Sequence, residues 1–166
     1  MWRARVKQAE AKAIRGLGIL DFRDMAGHVI RRLHQNATQV FQARLTAAGQ
    51  DLTPVQYAAL DAIRGAPGMD QVRLSALIAC DRATLSGVVE RLCKKGYIHR
   101  SVSAKDRRAR VLTLTPEGAA LVAELAPIVA AAQAEILPGL APDEQAQFLA
   151  LAQKSAAAVG ATGADA

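Results

Sequence analysis

At Gly96 the spacing of apolar residues changes from one in every three or four to one in every two, and strong helix signals flank the change on both sides. Upstream, Asp81 is placed to cap a helix running to about Lys95, with Leu85, Val88, Val89 and Leu92 on one face and Gly96 closing it. Downstream, Tyr97, Ile98 and Val102 form one candidate strand, and RVLTLT (Arg110 to Thr115) a clearer one, with Leu112 and Leu114 alternating against Val111, Thr113 and Thr115. The intervening SAKDRRA reads as the charged tip of a β-hairpin. A shorter helix from about Asp70 to Ala79, carrying Leu74, Leu77 and Ile78, precedes the capped one across a tight turn. Two helices joined by a tight turn and followed by a basic hairpin predict a helix-turn-helix with a wing.

The rest of the chain reads as helix. From Asp24 to Ala48, Val29, Leu33, Ala37, Val40, Phe41 and Leu45 mark one buried stripe, ended by Gly49. Thr53-Pro54-Val55-Gln56 is a helix start in which Thr53 caps, Pro54 occupies the first helical position and Gln56 closes a capping box. Val55, Ala59, Leu60 and Ile63 face inward until Gly65, Pro67 and Gly68 intervene. Thr115-Pro116-Glu117-Gly118 starts another helix, which Leu121, Val122, Leu125, Ile128, Val129 and Ile136 carry to about Leu137 with a possible kink at Pro127. A last helix runs from about Pro142 to Val159.

The predicted fold is mainly α with a small β-hairpin wing. Residues 51–115 make the winged helix-turn-helix, 24–50 and 116–159 the dimerisation helices, 1–23 a loose or partly helical extension, and 160–166 a disordered tail. The length of 166 residues suits one such unit, and with aromatics at 4% the core must be aliphatic, which suits helices. The long apolar helices exceed what the winged unit can cover, so a second copy of the chain is the expected partner.

Charge narrows the function. Residues 82–110 carry nine Lys or Arg against two acids, residues 24–81 balance, and 111–166 carry one base against six acids. A basic patch of this kind is the footprint of a polyanion, because each phosphate contact releases condensed counterions. No apolar run approaches the roughly 18 residues of a membrane span and no signal-peptide region is visible, so a cytoplasmic protein without a membrane partner is expected. Cys80 and Cys93 match neither a zinc cluster nor a redox pair, and no cofactor or metal is expected. HExxH, GxSxG, phosphate-cradling glycine loops and Cys-His arrangements are absent, which argues against an enzyme, including one of aromatic metabolism.

LTPVQYAALDAI, LSALIACDRATLSGVVERLCKKGYIHR and KDRRARVLTLTPEG together resemble the MarR-type regulators over about residues 24–155. The Asp106-Arg107-Arg108 tip followed by Leu114-Thr115 is the most specific part, and PVQYAAL with DRATLSGVVERL is similar to the subgroup that responds to aromatic acids, hydroxynicotinate among them. The resemblance implies a repressor that binds a pseudopalindromic operator as a homodimer and leaves it when a small aromatic carboxylic or phenolic effector binds.

Candidate DNA-binding residues follow from position and chemistry. Arg82, Thr84, Ser86 and Gly87 occupy the part of the second helix that enters the major groove, and Lys105, Arg107, Arg108 and Arg110 suit the negative potential of the minor groove. Arg91, Lys94, Lys95 and Arg100 read as backbone-facing charges. By resemblance, Asp106 holds the wing and orients Arg108. The effector candidates are His28, Arg31, Arg32, Gln56, Tyr57 and Asp61. His28 and Arg32 lie one turn apart and together suit a carboxylate, although the same spacing fits a solvated helix face. Tyr57 would stack on an aromatic effector or fill the core, and His34 is placed as a core or dimer histidine. Cys80, just before a helix N-terminus, leaves open a thiol-oxidation switch; peroxide sensors of the family, however, carry their cysteine on the first helix, and this one has none. A protein-binding winged helix is a third reading, disfavoured by the basic charge.

Overall fold

The computed structural model describes residues 21–102 and 110–162. After a 3-10 turn at Phe22–Asp24, the elements are α1 (Ala26–Ala47), α2 (Pro54–Gly65), β1 (Met69–Asp70), α3 (Gln71–Leu77), α4 (Arg82–Lys94), β2 (Ile98–Val102), β3 (Arg110–Leu114), α5 (Pro116–Ile136) and α6 (Pro142–Thr162). The fold is mainly helical, with a winged helix-turn-helix between long N- and C-terminal helices.

Local chemistry sets most of these bounds. Thr53 Oγ1 accepts from the Gln56 amide (3.3 Å) while the Gln56 side chain accepts from the Thr53 amide (3.0 Å), so the expected capping box forms. Asp70, Asp81 and Thr115 cap α3, α4 and α5 by accepting from the backbone amide three residues on, without the reciprocal bond of a box. Gly49 (φ 72°) and Gly96 (φ 76°) take the left-handed conformation that ends α1 and α4.

Leu85, Val88, Val89 and Leu92 of α4 meet Leu60 and Ile63 of α2, Leu74 of α3, Ile98 and Leu112 of the sheet, and Leu121, Val122 and Leu125 of α5 in one buried cluster. The sheet is antiparallel in the order β1-β3-β2, with Ile98 opposite Leu114, Val102 opposite Arg110 and Met69 opposite Leu112. The pairing of Val102 with Arg110 places residues 103–109 between the two strands, as a wing requires. The wing tip, Lys105, Asp106, Arg107 and Arg108, lies outside the described residues.

The structure departs from the sequence expectations at several points. Met69–Asp70 adds a third strand that two residues could not announce; Gly68 (φ 82°) turns the chain and donates its amide to the Leu112 carbonyl (2.8 Å). The helix before the turn is shorter than expected, because Asp70 serves as its cap and Ala79 (φ 50°) adopts the left-handed conformation. That turn is locked by Ser75, whose hydroxyl donates to the Cys80 carbonyl (2.5 Å) and whose carbonyl accepts the Cys80 amide (3.0 Å). Of the α1 stripe only Phe41 and Leu45 are buried; Val29 is exposed, as is Leu77 of α3. α6 continues to Thr162, into the segment expected to be disordered, since its alanines favour helix. Contrary to expectation, α5 is long and apolar enough, by length and composition, to cross a membrane (mean hydropathy 1.5). Its alanines raise that average, while it packs along α1 and α2 with Leu121, Val122 and Leu125 in the core.

Candidate nucleic-acid interface and effector residues

The helix-turn-helix presents a polar edge. On α4, Leu85, Val88, Val89 and Leu92 point into the core, which leaves Arg82, Thr84 and Ser86 on the exposed face and Gly87 half-buried beside them. Asp81 holds the first turn by accepting the Thr84 amide (2.8 Å). The hydroxyl and amide of Thr84 together keep the Asp81 carboxylate below its usual pKa. Thr84 is thus already engaged with the cap, which leaves Arg82 and Ser86 as the freer groups at this end. A Cβ on Gly87 would lie 3.8 Å from the Arg91 guanidinium, so Arg91 reaches back along the helix toward the same edge. Arg100 on β2 and Arg110 on β3 are exposed on the adjoining wing strands.

Two of the predicted phosphate-facing lysines already have partners. Lys94 pairs with Glu90 one turn earlier (2.8 Å), both side chains well exposed, and this pairing lowers the Glu90 pKa. Lys95 lies past the end of α4 and turns away: its Nζ donates to the Asp51 carbonyl (2.5 Å) and lies 3.6 Å from the Asp51 carboxylate. It ties the end of the second helix to the loop before α2, and a DNA role would first require that tie to break. Position on the helix decided this, since residue 95 faces the neighbouring loop.

An N-cap carboxylate whose pKa is lowered in the fold contributes stability above the ordinary carboxylate range and loses it as the pH falls through the folded value. Asp81→Ala should therefore lower the melting temperature by about 2–4 °C at neutral pH. The gap between variant and wild type should close on acidification, and a gap independent of pH in thermal melts would show that the carboxylate is not the cap.

The effector candidates fall into separate groups. On α1, Arg31 donates a long hydrogen bond to His28 Nδ1 (3.4 Å), and the His28 ring stands edge-on to Phe22 at 5.1 Å. Arg32 belongs to a different stripe, which runs through Val29, Leu33 and Asn36. With Leu137, Leu140 and Phe148 that stripe lines a cavity of about 540 Å³. His28 and Arg32, expected to receive a carboxylate together, thus have different neighbours, Arg31 for the one and the cavity lining for the other. On α2, buried Gln56 spends its carbonyl oxygen on the capping box. Tyr57 packs on Phe41 (5.9 Å between centroids), and burial together with the Asp61 charge raises its pKa, so at neutral pH it is a phenol able to donate. Asp61 pairs with Arg64 at 2.7 Å. His34 is exposed and lines the apolar groove between α1 and α6. Cys80 and Cys93 are partly buried against the core, and the Cys80 thiol donates weakly to the Asp81 carbonyl (3.6 Å).

Sequence reasoning missed Gln71 and Val72, which border the exposed edge of α4 from α3. The available signal was Val72 itself, an apolar residue out of phase with Leu74 and Ile78.

Comparison with known proteins gives a consistent picture. Residues 50–109 match the MarR family. The chain is 35% identical over 135 residues to the transcriptional regulator HosA of Escherichia coli O157:H7, covering 81% of this chain and 97% of that one. Among solved structures it is similar to BpsR of Bordetella bronchiseptica, whose DNA binding is regulated by 6-hydroxynicotinic acid (TM-score 0.78, 32% identity, 83% and 97% of the two chains). It is also similar to the PcaV transcriptional regulator of Streptomyces coelicolor in complex with its natural ligand (TM-score 0.77, 32% identity, 85% and 98%).

Proposed function

The chain belongs to the MarR family of transcriptional regulators, and on that premise we propose that it is a homodimeric repressor which holds a pseudopalindromic operator and releases it when a small aromatic acid or phenol binds. The observation that carries the proposal is the exposed edge of α4: Arg82 and Ser86 stand clear of the core at the start of a 29-residue stretch with nine basic and two acidic residues. Two such helices related by a twofold axis would enter successive major grooves, so footprinting should reveal two half-sites about 10 base pairs apart. A single asymmetric half-site would refute the dimeric arrangement.

Within this reading the wing and the helix divide the labour. Arg108→Ala should weaken every operator alike and flatten the slope of log affinity against log salt by about one unit, whereas Ser86→Ala should change sequence preference. Equal losses on all sequences from both variants would contradict that division.

The effector proposal draws its support from the regulation of BpsR by 6-hydroxynicotinic acid, and from the His28–Arg31 pair, which suits a carboxylate. Hydroxylated aromatic acids should raise the melting temperature and release operator DNA, with both effects lost in Arg31→Ala. Stabilisation without release would overturn the inducer role.

A further inference from the structure

Between α3 and α4 lies a notch of about 220 Å³ that the helix-turn-helix reading does not explain. Its wall is Val72, 58% exposed although apolar and β-branched, and its floor is the side of Leu85; Gln71, Arg82 and Ser86 form a polar rim. Val72 has no part in the core: the inward residue of α3 is Leu74. Arg82 and Ser86 are the two side chains placed in the major groove, so a notch that they border opens onto that groove. An apolar recess inside a basic, polar surface fits one feature of a major-groove edge, the 5-methyl of thymine, since the other groups exposed there are hydrogen-bond donors or acceptors.

We propose that Val72, over the Leu85 floor, receives the 5-methyl group of one thymine in each operator half-site and so helps to set sequence preference from the first helix of the motif. The proposal rests on the DNA-binding reading above. It adds a contact that discriminates by shape, where Arg82 and Ser86 discriminate by hydrogen bonding. Because Val72 is exposed and outside the core, its replacement should leave folding intact.

The test uses the full-length protein and an operator duplex recovered by selection with the wild type, in which each thymine in turn is replaced by deoxyuridine. That change deletes the methyl and leaves the hydrogen-bonding pattern untouched. Burial of one methyl corresponds to about a fourfold change in affinity, so removing the equivalent thymine methyl from both half-sites should weaken wild-type binding about 15-fold. Val72→Thr, equal in shape with one methyl exchanged for a hydroxyl, and Val72→Ala should bind the thymine and deoxyuridine operators nearly equally. Wild type indifferent to every substitution, or variants that still discriminate at the same position, would overturn the proposal. A wild type that holds no duplex even at low salt would instead overturn the DNA-binding reading itself, and the notch with it.

Discussion

Replacing Gly118 with alanine should lower the melting temperature by about 6–12 °C, equivalent to about 3 kcal/mol of overpacking. In an ordinary helix the same change stabilises by about 0.5–1 kcal/mol, so the predicted sign is reversed. The reason is contact with backbone: a Cβ at Gly118 would lie 2.0 Å from the Tyr97 carbonyl oxygen and 2.9 Å from its carbon. That carbonyl cannot withdraw cheaply. It accepts the Thr115 amide (3.0 Å), while the Thr115 hydroxyl donates to the Gly96 carbonyl (2.7 Å) and accepts from the Gly118 amide (2.9 Å). The first turn of α5 is thus tied to the end of α4 and the start of β2. Any adjustment that admits a methyl must move the wing strand or the long helix, so operator affinity should fall as well as stability. Thermal melts decide the matter, and an alanine variant as stable as the wild type would mean that this junction is looser than its geometry.

The second large effect concerns assembly. Ile30→Glu combined with Leu151→Glu should convert the protein to a monomer and weaken operator binding by at least about 100-fold, because a single winged helix keeps only one half-site. Ile30 (65% exposed) and Leu151 (60%) line an apolar groove of about 690 Å³ between α1 and α6, with Val29, Leu33, Ala37 and Phe148 around them. α6 packs only sparsely on the rest of its own chain. Burying each of these side chains against a second copy would contribute about 1.5–3 kcal/mol, and a carboxylate there would be desolvated without a partner. Sedimentation reads the oligomeric state directly. A double variant that stays dimeric would place the interface elsewhere, and one that becomes monomeric yet binds the operator normally would remove the need for a dimer.

Both predictions start from residues that the sequence marked as ordinary. Gly118 read as one more residue after a Thr-Pro helix start, and Ile30 carried no role of its own on a helix expected only in general terms to meet a second copy of the chain. Neither spacing nor propensity reports how closely a distant carbonyl approaches, or which part of a stripe its own chain leaves bare.

Local rules determined a great deal. The caps at Thr53, Asp81 and Thr115 and the closing glycines at 49 and 96 follow from interactions within a few residues, the buried side of Leu112 and the core face of α4 follow from the spacing of apolar residues, and each is present in the structure. The basic stretch identified the partner class because charge is countable without coordinates. Long-range contact decided the rest. Lys95 turned to Asp51, forty-four residues away, where a charge count had assigned it to DNA. Arg32 came to line a cavity with Leu137 and Phe148, a neighbourhood that spacing within α1 does not announce. Val72 acquired a neighbourhood only when α3 met α4. The sequence alone determined the elements, their caps and the sign of the surface. The tertiary structure decided which polar side chains remained free to meet a ligand, because hydrogen bonds between distant residues form only once packing brings them together.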